Sequence, residues 1–171
     1  MDPFTELVAA LDAASVRFVV IGVAGANHYA AWASTAFLTR DRDLFIPPDP
    51  ANELKAWQAC ASRSLELWCG DEPLGSPLDL WLAERVVGRR ALVRATDGRG
   101  LEVDLTLVMA GFEFEAVWAE RRTFRSEGVE VPVARLRHIV ESKAAAGRDK
   151  DRLFLATHEE ALRQLGKLDA G

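Results

Sequence analysis

Asp41 and Asp43 stand two positions apart in Thr39-Arg40-Asp41-Arg42-Asp43-Leu44-Phe45-Ile46. Side chains of an extended segment alternate between faces, so this spacing places both carboxylates on one side and Leu44 and Ile46 on the other. Two carboxylates held a strand repeat apart repel each other unless a cation lies between them. Hard oxygen donors of this kind suit Mg²⁺ or Mn²⁺ better than a softer metal. A third carboxylate, Asp104, lies far downstream in Leu101-Glu102-Val103-Asp104-Leu105 and could complete the cage. Glu102, one strand repeat away, is the alternative, but an acid flanked by apolar residues points to Asp104. An acid in a strand this apolar needs a partner or a solvated face.

The elements that must position these acids can be read from periodicity and turn chemistry. Residues 17–22, Arg-Phe-Val-Val-Ile-Gly, read as a short buried strand closed by glycine. Before it, Asp2 caps a helix that has Pro3 at its first position and ends near Ser15. After it, small residues over 24–33 suit a helix packed close to a sheet, and a loop then delivers Thr39 and Arg40 to the acidic strand. Pro47, Pro48 and Pro50 end that strand, and Asp49 caps the next helix, over residues 51–61. A third strand spans 64–69, a loop 70–75, and a helix starts at Ser76-Pro77. Asp97-Gly98 between two alternating runs, 89–96 and 101–108, predicts a hairpin with Asp104 facing away from Leu101, Val103, Leu105 and Leu107. A short helix over 112–119 and a second hairpin around Glu127-Gly128 follow. The last third is expected to be helical: one helix closed by Gly147, then a final one capped by Asp149, with residues 167–171 as a frayed tail.

A β-branched run ending in Gly22, a short helix, a D-x-D strand and a lone Asp inside an apolar strand, in that order, resemble the polymerase-β-like nucleotidyltransferase superfamily. The closer likeness is to its small bacterial members, some of which belong to toxin-antitoxin modules. The resemblance covers roughly residues 5 to 160. It implies an α+β fold, a small mixed sheet flanked by helices over residues 1–133, with a helical C-terminal segment, 134–171, packed on that core. It further implies catalytic and metal-binding roles for Asp41, Asp43 and Asp104, Mg²⁺ or Mn²⁺ as cofactor and a nucleoside triphosphate as substrate. Gly22 and the residue after it would approach the nucleotide phosphates. That second residue is usually glycine or serine, and Val23 departs from the pattern; Gly25 could allow an equivalent approach through a shifted turn. Thr39 and Arg40 match the positions before D-x-D, whereas Arg42 offsets local negative charge. The string Lys143-Ala-Ala-Ala-Gly-Arg148-Asp-Lys150-Asp151 looks like the family's C-terminal segment. Lys143, Arg148 and Lys150 are therefore candidates for phosphate contact, and Asp151 for pairing with a neighbouring cation.

Composition narrows the class without deciding it. With 171 residues, 49% hydrophobic and 27% charged, the chain can bury a sizeable core. A net charge of −5 argues against a general nucleic-acid binder, which works by neutralising phosphates. Charge is uneven: residues 121–152 hold nine Lys or Arg against five acids, a balance of +4 that leaves −9 on the rest. A basic segment facing an acidic metal centre suits a nucleoside triphosphate, and equally a solvated charged helix. Cys60 and Cys69 have no metal-type spacing and are expected to be reduced. No membrane span and no signal peptide are visible in the sequence, so a cytoplasmic location is expected.

The expected reaction is transfer of a nucleoside monophosphate to a hydroxyl on a protein, a small molecule or an RNA end, and a cognate partner protein is one possibility. A member that keeps the fold but binds nucleotide or partner without turnover is the competing reading, favoured by Val23. A glycosyltransferase also uses D-x-D, but only 40 residues precede Asp41 where such enzymes carry a much longer nucleotide-binding half.

Overall fold

Short apolar runs pair into one mixed eight-stranded sheet in the computed structural model, which describes residues 1–170. The strands are β1 (Val19–Ile21), β2 (Asp43–Phe45), β3 (Glu66–Cys69), β4 (Glu72–Pro73), β5 (Val93–Thr96), β6 (Glu102–Thr106), β7 (Arg122–Ser126) and β8 (Val129–Val133). The helices are α1 (Pro3–Ala13), α2 (Gly22–Ala30), α3 (Pro50–Ser62), α4 (Leu80–Gly88), α5 (Phe114–Glu120), α6 (Leu136–Ala146), α7 (Asp149–Thr157) and α8 (Glu159–Ala170). Strand order is β4-β3-β5-β6-β2-β1-β8-β7, so the fold is α+β as expected. β1 runs antiparallel to β2 and parallel to β8, and β2 runs parallel to β6.

Turn and cap residues set most boundaries. Asp2 Oδ1 accepts from the N–H groups of Phe4 (3.0 Å) and Thr5 (3.1 Å), with Pro3 at the first helical position. Asp49 Oδ1 accepts from Ala51 N at 3.0 Å in the same way, and Gly147 ends α6 at φ +62°, the left-handed cap that glycine adopts without a Cβ clash. Asn52 ties α3 to the entry of β1, its Oδ1 accepting from Arg17 N (2.8 Å) and its Nδ2 donating to Arg17 O (3.0 Å). Among the largest fully buried side chains are Trp57, Tyr29, Phe18 and Phe45. Tyr29 Oη donates to Ala134 O at 2.7 Å, which joins α2 to the lead-in of α6. α6 packs on α2, and α7 and α8 pack on α6.

Five expectations change. Residues 70–75 are not all loop, since Glu72–Pro73 pair with β3 as β4. The acidic strand is shorter than residues 39–46, because β1 gives way to α2 at Ile21, opposite Asp43, and residues 39–42 have no strand to pair with on that side. The helix expected at Ser76-Pro77 begins at Leu80, where Asp79 Oδ1 accepts from Leu82 N at 3.0 Å and caps it. The final helix is two, divided at His158. Of the tail expected over 167–171, Gly171 lies outside the described residues and 167–170 are helical rather than frayed: buried Asp169 accepts from Arg122 Nε at 2.8 Å and lies 3.4 Å from Arg135 Nη1. Cys60 and Cys69 are not joined to each other, Cys60 being buried and Cys69 partly so. Among the described residues no helix is long and apolar enough to cross a membrane.

Among the described residues, Glu53 is the one buried acid whose carboxylate finds no cation. Trp57 Nε1 donates to its Oε1 at 3.1 Å, while Oε2 has no hydrogen-bond partner. Burial pushes this carboxyl up to about 7 from 4.5, and the Trp57 hydrogen bond opposes the rise only in part. Since the folded value is the higher one, folding takes up a proton. Stability contributed by the neutral acid is fully present below pH 4.5 and is lost as pH rises towards 7. Glu53→Gln, which mimics the neutral form, is expected to match the parent near pH 4.5 and to exceed it at pH 8 by up to ~3 kcal/mol in urea unfolding.

Candidate functional site

Strand register builds the site. Ile21 pairs with Asp43, Asp43 with Asp104, and Asp104 with Arg94, so one rung crosses β1, β2, β6 and β5. Side chains of one rung share a face, and neighbouring strands lie about 4.8 Å apart. Asp43 and Asp104 are therefore immediate neighbours, and Arg94 is next in line. Burial lifts the Asp43 carboxyl above the usual range, and the nearby charges of Asp104 and Asp41 lift it further, while Lys150 and Lys143 act the other way. Asp41 lies just outside the strand, exposed, with its N–H donating to Thr39 Oγ1 at 3.1 Å.

Arg94 engages Asp104 fork-on: Nε donates to Oδ1 at 2.8 Å and Nη2 to Oδ2 at 3.2 Å. Its Nη1 also stands 3.5 Å from Glu102 Oε2. Sequence reading missed Arg94, although the hairpin around Asp97-Gly98 already set it opposite Asp104.

Gly22 opens α2 at φ +68°, and a Cβ built there would lie 3.0 Å from Asp43 Oδ2. Both facts call for glycine: left-handed backbone disfavours other residues, and the carboxylate fills the space a side chain needs. No side chain caps α2, so its first-turn N–H groups lack a side-chain acceptor, and Gly22 and Val23 border the same cleft as Asp43. Val23 is half-buried and sits in the first turn of α2. Gly25 serves packing instead: a Cβ there would meet Val20 O at 2.9 Å and Ile139 Cδ1 at 3.0 Å.

Cations arrive from two directions. Asn27 holds the loop before the acidic strand, its Oδ1 accepting from Phe37 N (2.6 Å) and its Nδ2 donating to Phe37 O (3.0 Å), which brings Thr39 and Arg40 to the cleft. From the other side, buried Asp151 accepts from Arg148 Nε at 2.7 Å and from Lys143 Nζ at 3.5 Å. Burial lowers the Lys143 ammonium and the Asp151 charge works against that fall. Arg40 and Lys150 have no salt-bridge partner among the described residues.

Ten of the residues singled out by sequence line one cleft of about 900 Å³: Asp41, Asp43 and Asp104, then Gly22, Val23, Thr39 and Arg40, then Lys143, Arg148 and Lys150; Asp151 joins them, whereas Gly25, Arg42 and Glu102 do not. Leu92, Val108 and Phe154 add apolar wall. A separate cavity of about 660 Å³ among α6, α7 and α8 shares no lining residue with it. The donor chemistry of the carboxylates is of the kind that suits a hard divalent cation. Among the described residues, however, no three His, Cys, Asp or Glu side chains already form a group that could hold a metal ion, and both oxygens of Asp104 are turned to Arg94. No protein-family model and no curated protein matches the sequence.

Gly22→Ala is expected to lower stability by about 1–2 kcal/mol, the cost of left-handed backbone at a residue with a Cβ. Gly166→Ala, inside α8 with open space around it, is expected to raise stability by about 1 kcal/mol. Chemical denaturation of the two variants beside the parent checks both signs.

Proposed function

We propose that this chain is a small nucleotidyltransferase of the polymerase-β-like superfamily that moves a nucleoside monophosphate from a nucleoside triphosphate to a hydroxyl acceptor. The observation that carries the reading is the convergence of four carboxylates, Asp41, Asp43, Asp104 and Asp151, and five cationic side chains, Arg40, Arg94, Lys143, Arg148 and Lys150, on one cleft beside the first turn of α2. Asp41, Asp43 and Asp104 would hold Mg²⁺ or Mn²⁺. When bound, the metal supplies charge neutralisation at the α-phosphate and acidifies the attacking hydroxyl.

The chain's own groups account for the rest. Arg40 and Lys150, unpaired by any acid among the described residues, and the open N–H groups of α2 bind the anionic phosphates from two sides. Lys143 and Arg148 are fixed by Asp151 at the opposite wall. The acceptor oxygen forms a bond to the α-phosphorus, the bond from that phosphorus to the bridging oxygen breaks, and pyrophosphate leaves. The hydroxyl proton passes to Asp104. Alignment and charge neutralisation supply the catalysis, since little covalent chemistry is asked of the protein.

One observation favours a second reading. Arg94 already neutralises Asp104, and with Val23 in place of the small residue of the family pattern, the cleft also suits a protein that binds nucleotide or a partner without turnover, as in a toxin-antitoxin pair. Incubation with α-phosphate-labelled triphosphates and Mg²⁺ or Mn²⁺, in the presence of protein, RNA and small-molecule acceptors, separates the two. Label transfer is expected, falling at least about 100-fold in the Asp41→Asn plus Asp43→Asn variant. Nucleotide binding without any transfer would support the binding module and sink the enzyme.

A further inference from the structure

Arg94 is built into the acidic rung in a way that metal-assisted transfer does not by itself require. It occupies the position opposite Asp104 in the β5–β6 hairpin, and its fork takes both carboxylate oxygens. A fork-on guanidinium is among the strongest partners a carboxylate can have. Asp104 is mostly buried, at 17% side-chain exposure, whereas Arg94 is 47% exposed and reaches it from the solvent side. A second acceptor waits one strand repeat away: Glu102, 58% exposed, lies 3.5 Å from Nη1 on the same face of the sheet.

We propose that Arg94 is a positioning latch: it holds Asp104 away from metal in the nucleotide-free protein and moves to Glu102 and the incoming phosphates when a metal-bound triphosphate enters. The inference rests on the transferase reading of the cleft and assigns that site its regulation. Neutralisation of Asp43 and Asp104 cannot be doubled at no cost, because a divalent cation set beside the guanidinium would face like charge at close range. A free cation therefore competes with Arg94 and binds weakly. A triphosphate tips the exchange, since its oxygens offer the displaced guanidinium a new bidentate partner inside the same cleft. Metal and nucleotide are then coupled, each tightening the other by the same factor. Such coupling would keep the three acids from capturing stray divalent ions.

The test is a Mn²⁺ titration read from the magnetic resonance signal of the free ion, with and without a non-hydrolysable triphosphate. The proteins are the parent, Arg94→Gln, Arg94→Lys, Glu102→Gln and Asp43→Asn. Without nucleotide, Arg94→Gln is expected to tighten Mn²⁺ about tenfold, and the further tightening by nucleotide should shrink by a similar factor. Arg94→Lys, which keeps the charge and loses the fork, should fall between. Glu102→Gln, by removing the second acceptor, should weaken the nucleotide-dependent gain. The latch is overturned if Arg94→Gln and Arg94→Lys bind Mn²⁺ within twofold of the parent while Asp43→Asn still weakens it, a result that leaves the metal site standing. If no protein binds Mn²⁺ under either condition, the metal-dependent transferase reading falls, and the latch with it.

Discussion

Parallel pairing of β2 with β6 seats Asp43 beside Asp104, and the repulsion between those two anions must be met by positive charge from some quarter. In the ligand-free chain the quarter is β5, whose Arg94 closes the rung, with Lys143 and Lys150 acting on Asp43 from α6 and α7. Much of the cleft can be understood as a response to this one crowded rung. Gly22 omits a side chain where Asp43 needs room, and α2 begins at that point with its N–H groups turned over to no side-chain acceptor. An acidic pair left without these answers would titrate instead of staying charged.

The opposite wall solves a related problem by another route. Asp151 is almost wholly buried, yet its carboxyl is held below the ordinary range by its hydrogen bond to Arg148 and by Lys143, which together outweigh its desolvation. It thereby fixes two cations that would otherwise spread across a solvent-facing helix. Gly147 makes this possible, because the left-handed cap ends α6 between Lys143 and Arg148 and lets both reach one acid. A buried carboxylate serving as an anchor for two basic groups costs less than a buried charge alone, since each member satisfies the other.

Those two walls were unequally legible in the sequence. Period-two alternation and the Asp97-Gly98 turn placed Asp104 on the charged face of its strand, and the glycine-terminated apolar run located β1. Capping residues located α1 and α3 to within a residue or two. The length of β2 was not readable, because it is decided by where β1 stops, a fact of pairing between segments. Arg94 escaped notice for a similar reason: its significance comes from its cross-strand neighbour, and nothing in Ala-Leu-Val-Arg-Ala-Thr marks it as special. The ends of the chain misled in the same manner, since a Lys-Leu-Asp-Ala run looks like a loose tail until Arg122 and Arg135 are brought to Asp169 from distant elements.

The central strand has a further implication for how the chain reaches this state. β1 is three residues long and lies between β2, a near neighbour in sequence, and β8, where Val20 pairs with Val133 across a separation on the order of a hundred positions. A ribosome extruding this polypeptide would release α1, β1 and β2 long before their last edge has a mate. Until β8 emerges, the apolar Val19-Val20-Ile21 segment keeps one row of backbone donors and acceptors without a strand partner, an open edge of the kind that invites mispairing.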